Sequence, residues 1–305
     1  HHFSTTKTAE LENWYHNSTK NILIFTTYHS LNKIQESLDI EVDTIYFDEA
    51  HNSVQKNFFP ATEHFSHFAE RCYFFTATPK HSRSPVKAGM NWPEYGQVIC
   101  QVPAPKLVKE GYILPPKVEV YQSRILDKDE LVADRDCEQM IDSIDNLSKN
   151  KVLICAKATK QIINLVSHTN FVQDLADRGY SWMTITSKTG AIIDGEKVDR
   201  EEFFNTLNTW GKDSTKKFVV LHHSILSEGI NVNGLEAVLF LRNMDYIGIS
   251  QTIGRVIRLG DASKTFGLVC IPVYSKVGIS TARKVQAVVD TVFNKGEPAI
   301  SIVNN

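Results

Sequence analysis

Short apolar runs alternate with longer amphipathic stretches along most of the chain. The runs are rich in β-branched and aromatic residues, which favours strands of a parallel sheet covered on both faces. We predict strands at Ile22–Phe25, Thr44–Phe47, Tyr73–Phe75, Val152–Cys155, Trp182–Ile185, Phe218–Leu221, Ala237–Leu241 and Phe266–Ile271. The stretches Lys160–Arg178 and Val198–Trp210 show helical periodicity. This alternation of strands and helices predicts an α/β architecture.

Five of the ten prolines lie between Pro93 and Pro116, where they interrupt the alternation. Proline fixes φ and lacks the N–H that helices and ladders require, so a buried element is disfavoured there. We therefore predict a boundary near residue 115, with one domain at 1–115 and a second at 116–305 that ends in a C-terminal tail. A length of 305 residues accommodates two domains, each with its own core.

The composition narrows the class of protein. With 42% hydrophobic and 22% charged residues, the chain is typical of globular proteins and not of disordered ones. Thirty-three basic against 35 acidic residues give a net charge of −2, so a nucleic-acid site would be a local groove.

The location of the protein is inferred from its cysteines and its apolar runs. The five cysteines are widely spaced and form no CxxC, which indicates neither a disulfide framework nor a structural zinc site. No apolar run reaches the roughly 18–20 residues that span a bilayer, and the polar start lacks a signal peptide. We expect an intracellular protein, in cytoplasm or nucleus, that is neither secreted nor in a membrane.

The first chemical signal is the string Asp48-Glu49-Ala50-His51, which directly follows the predicted strand Thr44–Phe47. It places two adjacent carboxylates at the carboxyl edge of a strand, where ligands bind in open α/β sheets. One acid can hold Mg²⁺ and its neighbour can orient or deprotonate an attacking water. The alternative is an acidic turn after a strand.

This string resembles the second nucleotide-binding motif of the superfamily 2 helicases, the DEAD/DEAH-box-like helicases and translocases. Downstream, Thr76-Ala77-Thr78-Pro79 resembles their motif III, which implies that Thr76 and Thr78 couple nucleotide state to the grip on nucleic acid. Upstream, Thr26–Leu31 resembles a motif Ib segment, in which Thr27 and Tyr28 would touch the nucleic-acid backbone. The alternative for that segment is a strand-to-helix turn capped by a hydroxyl.

A second signal is Gln251-Thr-Ile-Gly254-Arg255-Val-Ile-Arg258. On a helix, Gln251, Gly254, Arg255 and Arg258 would form one polar stripe, and Ile253, Val256 and Ile257 would face the core. Two guanidiniums can stabilise charge on a transferring phosphoryl group, whereas the alternative is a solvated helix face. The string matches the family's motif VI, QxxGRxxR.

Other segments resemble the remaining motifs of the second helicase domain. Ser224–Val232 resembles motif V, in which Gly229 would approach a phosphate and Asn231 would bind a nucleotide hydroxyl, although many relatives have an acid there. Lys151–Lys157 resembles motif IV. Ser187, Thr189 and Gly190 follow a predicted strand where relatives contact the nucleic-acid backbone; a simple turn is the alternative.

A phosphate-binding loop of the form GxxxxGK[ST] is absent from the chain. The nearest approach, Gly190–Lys197, has Glu196 at the position of the lysine and is rejected because a carboxylate would repel a triphosphate. The first methionine is Met90. We therefore expect a chain that begins inside the first of two RecA-like parallel-sheet domains, with a missing N-terminal segment and an unpaired edge at Tyr73–Phe75.

The resemblance implies an ATP-hydrolysing helicase or translocase that uses ATP and Mg²⁺ in a cleft between its domains and binds DNA or RNA. Asp48 would hold Mg²⁺, Glu49 would activate water, and Arg255 and Arg258 would act from the second domain, with His51 and Gln251 at the nucleotide. This fragment alone would be inactive. The alternative is a nucleic-acid-binding scaffold fragment without ATP turnover. His64 and His67 have ligand spacing, but without an apparent third ligand they indicate a helix surface.

Overall fold

The computed structural model describes residues 3–37, 40–122, 127–156, 158–223, 234–241, 246–256, 258, 267–273 and 276–304. They form two compact units, unit 1 at 1–101 with 298–305, and unit 2 at 102–297. The division lies ahead of the boundary expected near residue 115, because Ile113 and Val118 pack against the core of unit 2. The final residues, expected as a tail of the second domain, belong to unit 1.

The helices and strands are as follows. The helices are α1 (Thr8–His16), α2 (Leu31–Gln35), α3 (Phe59–Phe68), α4 (Ala104–Lys109), α5 (Val132–Leu147), α6 (Thr159–His168), α7 (Phe171–Asp177), α8 (Arg200–Lys212), α9 (Tyr246–Val256) and α10 (Lys276–Val288). The strands are β1 (Thr44–Phe47), β2 (Arg71–Phe74), β3 (Lys80–Ser82), β4 (Pro116–Gln122), β5 (Lys151–Cys155), β6 (Ser181–Thr186), β7 (Gly190–Ile193), β8 (Glu196–Val198), β9 (Phe218–His222), β10 (Ala237–Phe240), β11 (Gly267–Val273) and β12 (Ser301–Val303). Short 3₁₀ helices lie at Ala50–Asn52 and Pro93–Tyr95, and a π-helical segment at Val289–Asn294.

One sheet of unit 1 is a parallel pair of β1 and β2, in which Phe47 lies beside Phe74. Their rings stack with centroids 4.9 Å apart and pack on one face with α2 and α3. On the other face Tyr46 stacks on Tyr73 at 5.5 Å, and its side chain is 66% exposed. Within the described residues β2 has β1 as its sheet partner. Unit 1 therefore buries one face of this pair and exposes aromatic rings on the other.

The predicted strand at Ile22–Phe25 is wrong, because these residues form no strand. Ile24 packs against the core of unit 1, but Leu23 is 75% and Phe25 is 90% exposed. An apolar run becomes a strand only when a neighbour accepts and donates its backbone hydrogen bonds. The apolar pattern of Ile22–Phe25 does not show whether a second strand lies beside it.

Two short strands of unit 1 were not predicted. β3 and β12 pair in parallel, with Ser301 beside Lys80 and Val303 beside Ser82. Each has three residues, too few for an alternating pattern to stand out. The pairing ties the C-terminal residues to the segment that follows the Thr-Ala-Thr triplet.

Within the described residues, unit 2 is built on an eight-stranded sheet in the order β4-β11-β10-β5-β9-β6-β7-β8. The strands from β4 to β6 in that order are parallel, and β7 and β8 add an antiparallel hairpin. Along β5, Val152 and Ile154 face one core, whereas Leu153 and Cys155 face the other. Helices α5 to α7 cover the first face, and α8 to α10 cover the second. Burial on both faces explains the continuous apolar runs.

The predictions for unit 2 differ from the structure at Lys160–Arg178 and at β4. The helical stretch Lys160–Arg178 is two helices, broken at Thr169, whose backbone is extended with φ −133° and ψ 174°. β4 was not predicted, because Pro115 and Pro116 argue against a buried strand. Pro116 is the first residue of β4, which is an edge strand, and proline is tolerated there.

None of the described helices has the length and apolar character that crossing a membrane requires.

The rejected candidate for a phosphate-binding loop is the hairpin of β7 and β8. Asp194 and Gly195 form its turn with φ of 46° and 92°. A phosphate-binding loop leads into a helix whose N–H groups hold the phosphate, and this hairpin instead joins two antiparallel strands.

Gly234 is a position where unit 2 tolerates no side chain. Its φ is +88°, and a Cβ there would lie 2.0 Å from the carbonyl oxygen of Gly211. The same oxygen accepts a hydrogen bond of 2.8 Å from the buried Lys151 Nζ. The close approach of Gly234 therefore fixes the entry to β10 against the end of α8.

Replacement of Gly234 by alanine is expected to lower the free energy of unfolding of unit 2 by about 2–5 kcal/mol, because it adds overpacking to a left-handed backbone. Gly179→Ala is the matched control, since φ there is +75° but no described atom lies within 4 Å of its Cβ. We expect about 1–2 kcal/mol for the control. Urea denaturation, followed by hydrogen exchange of β5 and β9, measures both; equal losses would contradict the steric explanation.

Candidate functional site

Two parallel strands of unit 1 end side by side, and the two polar motifs follow them directly. Phe47, the last residue of β1, lies beside Phe74, the last residue of β2. The chains stay paired beyond the strands, since Phe75 N donates to Phe47 O at 2.9 Å and Ala50 N donates to Phe75 O at 2.8 Å. The acidic box 48–51 and the triplet 76–78 therefore lie at the same edge of the sheet.

The two carboxylates of the box sit on a sharply turned backbone. Asp48 is exposed, and its Oδ1 accepts a 2.9 Å hydrogen bond from Glu49 N. Glu49 adopts the left-handed conformation, with φ 47° and ψ 49°. For a residue other than glycine this costs about 1–2 kcal/mol, and such strain clusters at functional sites. An exposed carboxylate with hard oxygen donors fits Mg²⁺, which binds through one or two carboxylates together with phosphate oxygens.

His51 joins the acidic box to the triplet. Its Nδ1 lies 3.0 Å from Thr76 Oγ1, 3.3 Å from Thr78 Oγ1 and 3.5 Å from Glu49 Oε2. The imidazole is 8% exposed, whereas the Glu49 side chain is 40% exposed. The Glu49 carboxylate thus reaches solvent, whereas the His51 imidazole that it contacts is buried in unit 1.

Thr76 Oγ1 links His51 to the backbone of the triplet. It accepts a 3.1 Å hydrogen bond from Thr78 N and lies 3.0 Å from His51 Nδ1. The same Nδ1 also faces Thr78 Oγ1 and Glu49 Oε2. The imidazole is therefore positioned by both hydroxyls of the triplet and by one carboxylate of the acidic box.

Replacement of Thr76 by valine is expected to raise hydrogen exchange at the Ala50 amide about 2- to 12-fold, because each lost hydrogen bond contributes roughly 0.5–1.5 kcal/mol. Valine keeps the shape and removes the hydroxyl. The exposed Thr27→Val in the same unit is the control. Exchange measured by NMR or mass spectrometry that is equal in both variants would show that His51 does not depend on Thr76.

Tyr28 contacts the acidic box directly, which sequence reasoning missed. Its hydroxyl donates to Asp48 O at 2.7 Å, across 20 residues of chain. Its ring stacks near Phe47 and Phe58, with centroids 6.1 and 5.6 Å away. Burial raises the pKa of Tyr28, with a smaller contribution from nearby acidic groups. The structure thus gives Tyr28 a role in holding the acidic turn, while Thr27 beside it is exposed.

The motif VI residues of unit 2 lie on and just after α9. Gln251, Gly254 and Arg255 are on the helix, although the side chain of Arg255 is outside the described residues. Ile253 is fully buried, as expected of a core position; the side chains of Val256 and Ile257 are not described. Arg258 corrects the prediction of a stripe along one helix: α9 ends at Val256, and Arg258 is a half-buried residue in a bend.

Of the remaining predicted residues of unit 2, Ser187 and Thr189 lie in the turn between β6 and β7, and Gly190 is the first residue of β7. Ser187 and Gly190 are exposed around the turn from β6 to β7, and Gly190 has φ 72°. Thr189 Oγ1 lies 2.8 Å from Thr186 Oγ1 and stabilises this turn. Gly229 and Asn231 lie outside the described residues.

Comparisons with known proteins show a shared fold. No protein-family model and no curated protein matches the chain. An "ATP-dependent Type ISP restriction-modification enzyme LlaBIII bound to DNA" matches with a TM-score of 0.67 and 18% identity, over 98% of this chain and 25% of that one. A fragment described as an HsdR subunit of a type I restriction enzyme from Vibrio vulnificus matches with a TM-score of 0.56 and 16% identity, over 91% of this chain and 51% of that one. The chain thus spans about a quarter of the first protein and half of the second, and it shares the fold of the matching regions.

Proposed function

We propose that the chain is part of an ATP-driven nucleic-acid translocase or helicase that is built from two RecA-like units. One observation carries the proposal. His51 connects Glu49 of the acidic box to Thr76 and Thr78 at one edge of a parallel sheet, through contacts of 3.0–3.5 Å. Such a connection can transmit a change at a nucleotide to the segment that follows β2.

Each side chain has a proposed role in this reaction. Asp48 holds Mg²⁺, which supplies charge neutralisation at the phosphates when bound. Glu49, whose carboxylate reaches solvent, orients and deprotonates water. From unit 2, Arg255 and Arg258 stabilise negative charge on the transferring group. Further nucleotide contacts are proposed for His51, Gly229, Asn231 and Gln251, and nucleic-acid contacts for Thr27, Ser187, Thr189 and Gly190.

Nucleotide turnover also needs a phosphate-binding loop, which these 305 residues do not contain. We therefore propose that the chain alone does not turn over ATP and that the natural polypeptide containing it does. We also propose DNA as the nucleic acid, since the restriction-modification enzyme with the same fold is described as bound to DNA. The widely spaced cysteines favour an intracellular location.

A passive scaffold is the second candidate function, because the phosphate-loop lysine is absent. The affinity of the natural polypeptide for a DNA duplex, measured by fluorescence anisotropy with and without a non-hydrolysable ATP analogue and Mg²⁺, separates the two. A motor is expected to change its DNA affinity at least about threefold on binding nucleotide, because the two ligands are coupled. Equal affinities would support the scaffold.

A further inference from the structure

Three side chains with metal-binding atoms converge in unit 1, away from the sequence motifs described above. They are Glu63 and His67 on α3 and Glu94 on the 3₁₀ helix Pro93–Tyr95. One ligand atom of each lies within 4.8 Å of the other two. None of the three belongs to the acidic box or the Thr-Ala-Thr triplet.

The sequence brings these residues together through one stripe of α3. Phe59, Glu63 and His67 are four residues apart and therefore lie on one face of the helix. The Phe59 ring meets Trp92 edge-on at 5.5 Å and stacks on Tyr95 at 6.4 Å. This aromatic contact holds the 3₁₀ helix beside the stripe. The Glu94 carboxylate therefore lies close to Glu63 and His67.

The 3₁₀ helix is itself held in place. Tyr95 is 8% exposed, and its hydroxyl lies 2.7 Å from Ser53 Oγ. Val54 and Ala88 complete a small buried cluster around the Tyr95 ring. The position of Glu94 is thus fixed by packing before any ligand binds, which reduces the entropy lost on binding.

Glu94 has an unsatisfied acceptor. Its Oε2 is shielded from solvent and has no hydrogen-bond partner among the described residues. A buried carboxylate oxygen without a partner is unfavourable, and two carboxylates so close together repel each other. A bound cation would remove both costs.

We propose that Glu63, His67 and Glu94 bind a divalent transition-metal ion of the Zn²⁺ class. Zinc takes histidine nitrogen and carboxylate oxygen at about 2.0–2.2 Å, so ligand atoms must be about 3–3.5 Å apart. The exposed side chains of Glu63 and His67 can rotate to close this distance. An imidazole among the ligands favours zinc over Mg²⁺ or Ca²⁺, and water completes the tetrahedron.

The proposed ion joins α3 to the 3₁₀ helix and stabilises unit 1. The absence of CxxC pairs, which indicated no structural zinc, does not bear on a site made of one histidine and two glutamates. Of the two histidines His64 and His67, only His67 belongs to the proposed site. His64 instead packs its ring on Phe65 and Phe68, with centroids 5.0 and 4.7 Å away.

Isothermal titration of the chelator-treated 305-residue chain with ZnCl₂ tests the proposal. We expect a saturable site whose affinity falls at least tenfold in His67→Ala and in Glu94→Gln. His64→Ala is the matched control, on the same helix but outside the cluster, and it is expected to bind like the unmodified chain. Zinc bound elsewhere, for example at His1 and His2, would persist in every variant.

A second measurement separates binding from misfolding. Saturating Zn²⁺ is expected to raise the melting temperature of the unmodified chain and of His64→Ala, but not of His67→Ala. Glu63→Gln, a change of one exposed side chain, gives an independent variant if Glu94→Gln fails to fold. Zinc uptake and melting shifts that are the same in the unmodified chain, His67→Ala and Glu63→Gln would overturn the proposal.

Discussion

Replacement of Glu49 by glutamine in the natural polypeptide is expected to lower ATP hydrolysis about 10²- to 10⁴-fold, the usual contribution of a general base. Glutamine keeps the shape of the side chain and removes the charge that would accept a proton from water. Binding of ATP is expected to change less than about threefold, because the lost charge acts on water and not on the nucleotide. Steady-state kinetics together with nucleotide titration separate the two effects.

Two control variants sharpen this prediction. Glu70→Gln removes an exposed carboxylate of the same unit and is expected to leave turnover unchanged. Glu49→Gly should abolish turnover while leaving the stability of unit 1 unchanged or higher, since glycine relieves the left-handed strain at φ 47°. Full activity in Glu49→Gln would remove this residue from the reaction.

Replacement of Arg255 by alanine is expected to have an even larger effect, a fall of about 10³- to 10⁵-fold in turnover, or roughly 4–7 kcal/mol in barrier. The guanidinium is proposed to stabilise charge that develops only in the transition state, so the rate should fall more than the affinity for ATP. Arg255→Lys keeps the charge but loses the bidentate fork, and an intermediate rate is expected.

The matched control for this second prediction is Arg283→Ala, which removes an exposed arginine from α10 of the same unit. It should leave turnover within about twofold. Single-turnover kinetics at saturating ATP measure the rate directly. An Arg255→Ala variant whose only defect is weaker ATP binding would make Arg255 a binding residue and not a transition-state residue.

Sequence reasoning predicted the elements that are buried on both faces. β5, β9 and β10 appear as continuous apolar runs because each residue along them faces one of two cores. The acidic box and the triplet were also placed at strand ends, where β1 and β2 bring them together. These features are local, so short stretches of sequence predict them.

Features that depend on a distant partner could not be predicted. The run Ile22–Phe25 has strand composition but pairs with no strand among the described residues, and β12 becomes a strand only by pairing with β3. The hydrogen bond from Tyr28 to Asp48 and the approach of Glu94 to α3 join residues far apart in sequence. A single sequence shows which chemical groups such residues carry, but it does not show which of them lie close together in the folded chain.

The most direct measurement of the proposed function is the rate of ATP hydrolysis by the natural polypeptide as DNA is added. A motor predicts Mg²⁺-dependent hydrolysis that rises at least about tenfold with DNA, a change of roughly 1.4 kcal/mol in barrier. The same titration on Glu49→Gln should show no rise. Absence of hydrolysis in the presence of DNA and Mg²⁺, or a rate that Glu49→Gln leaves unchanged, would contradict a DNA-dependent motor that uses the acidic box.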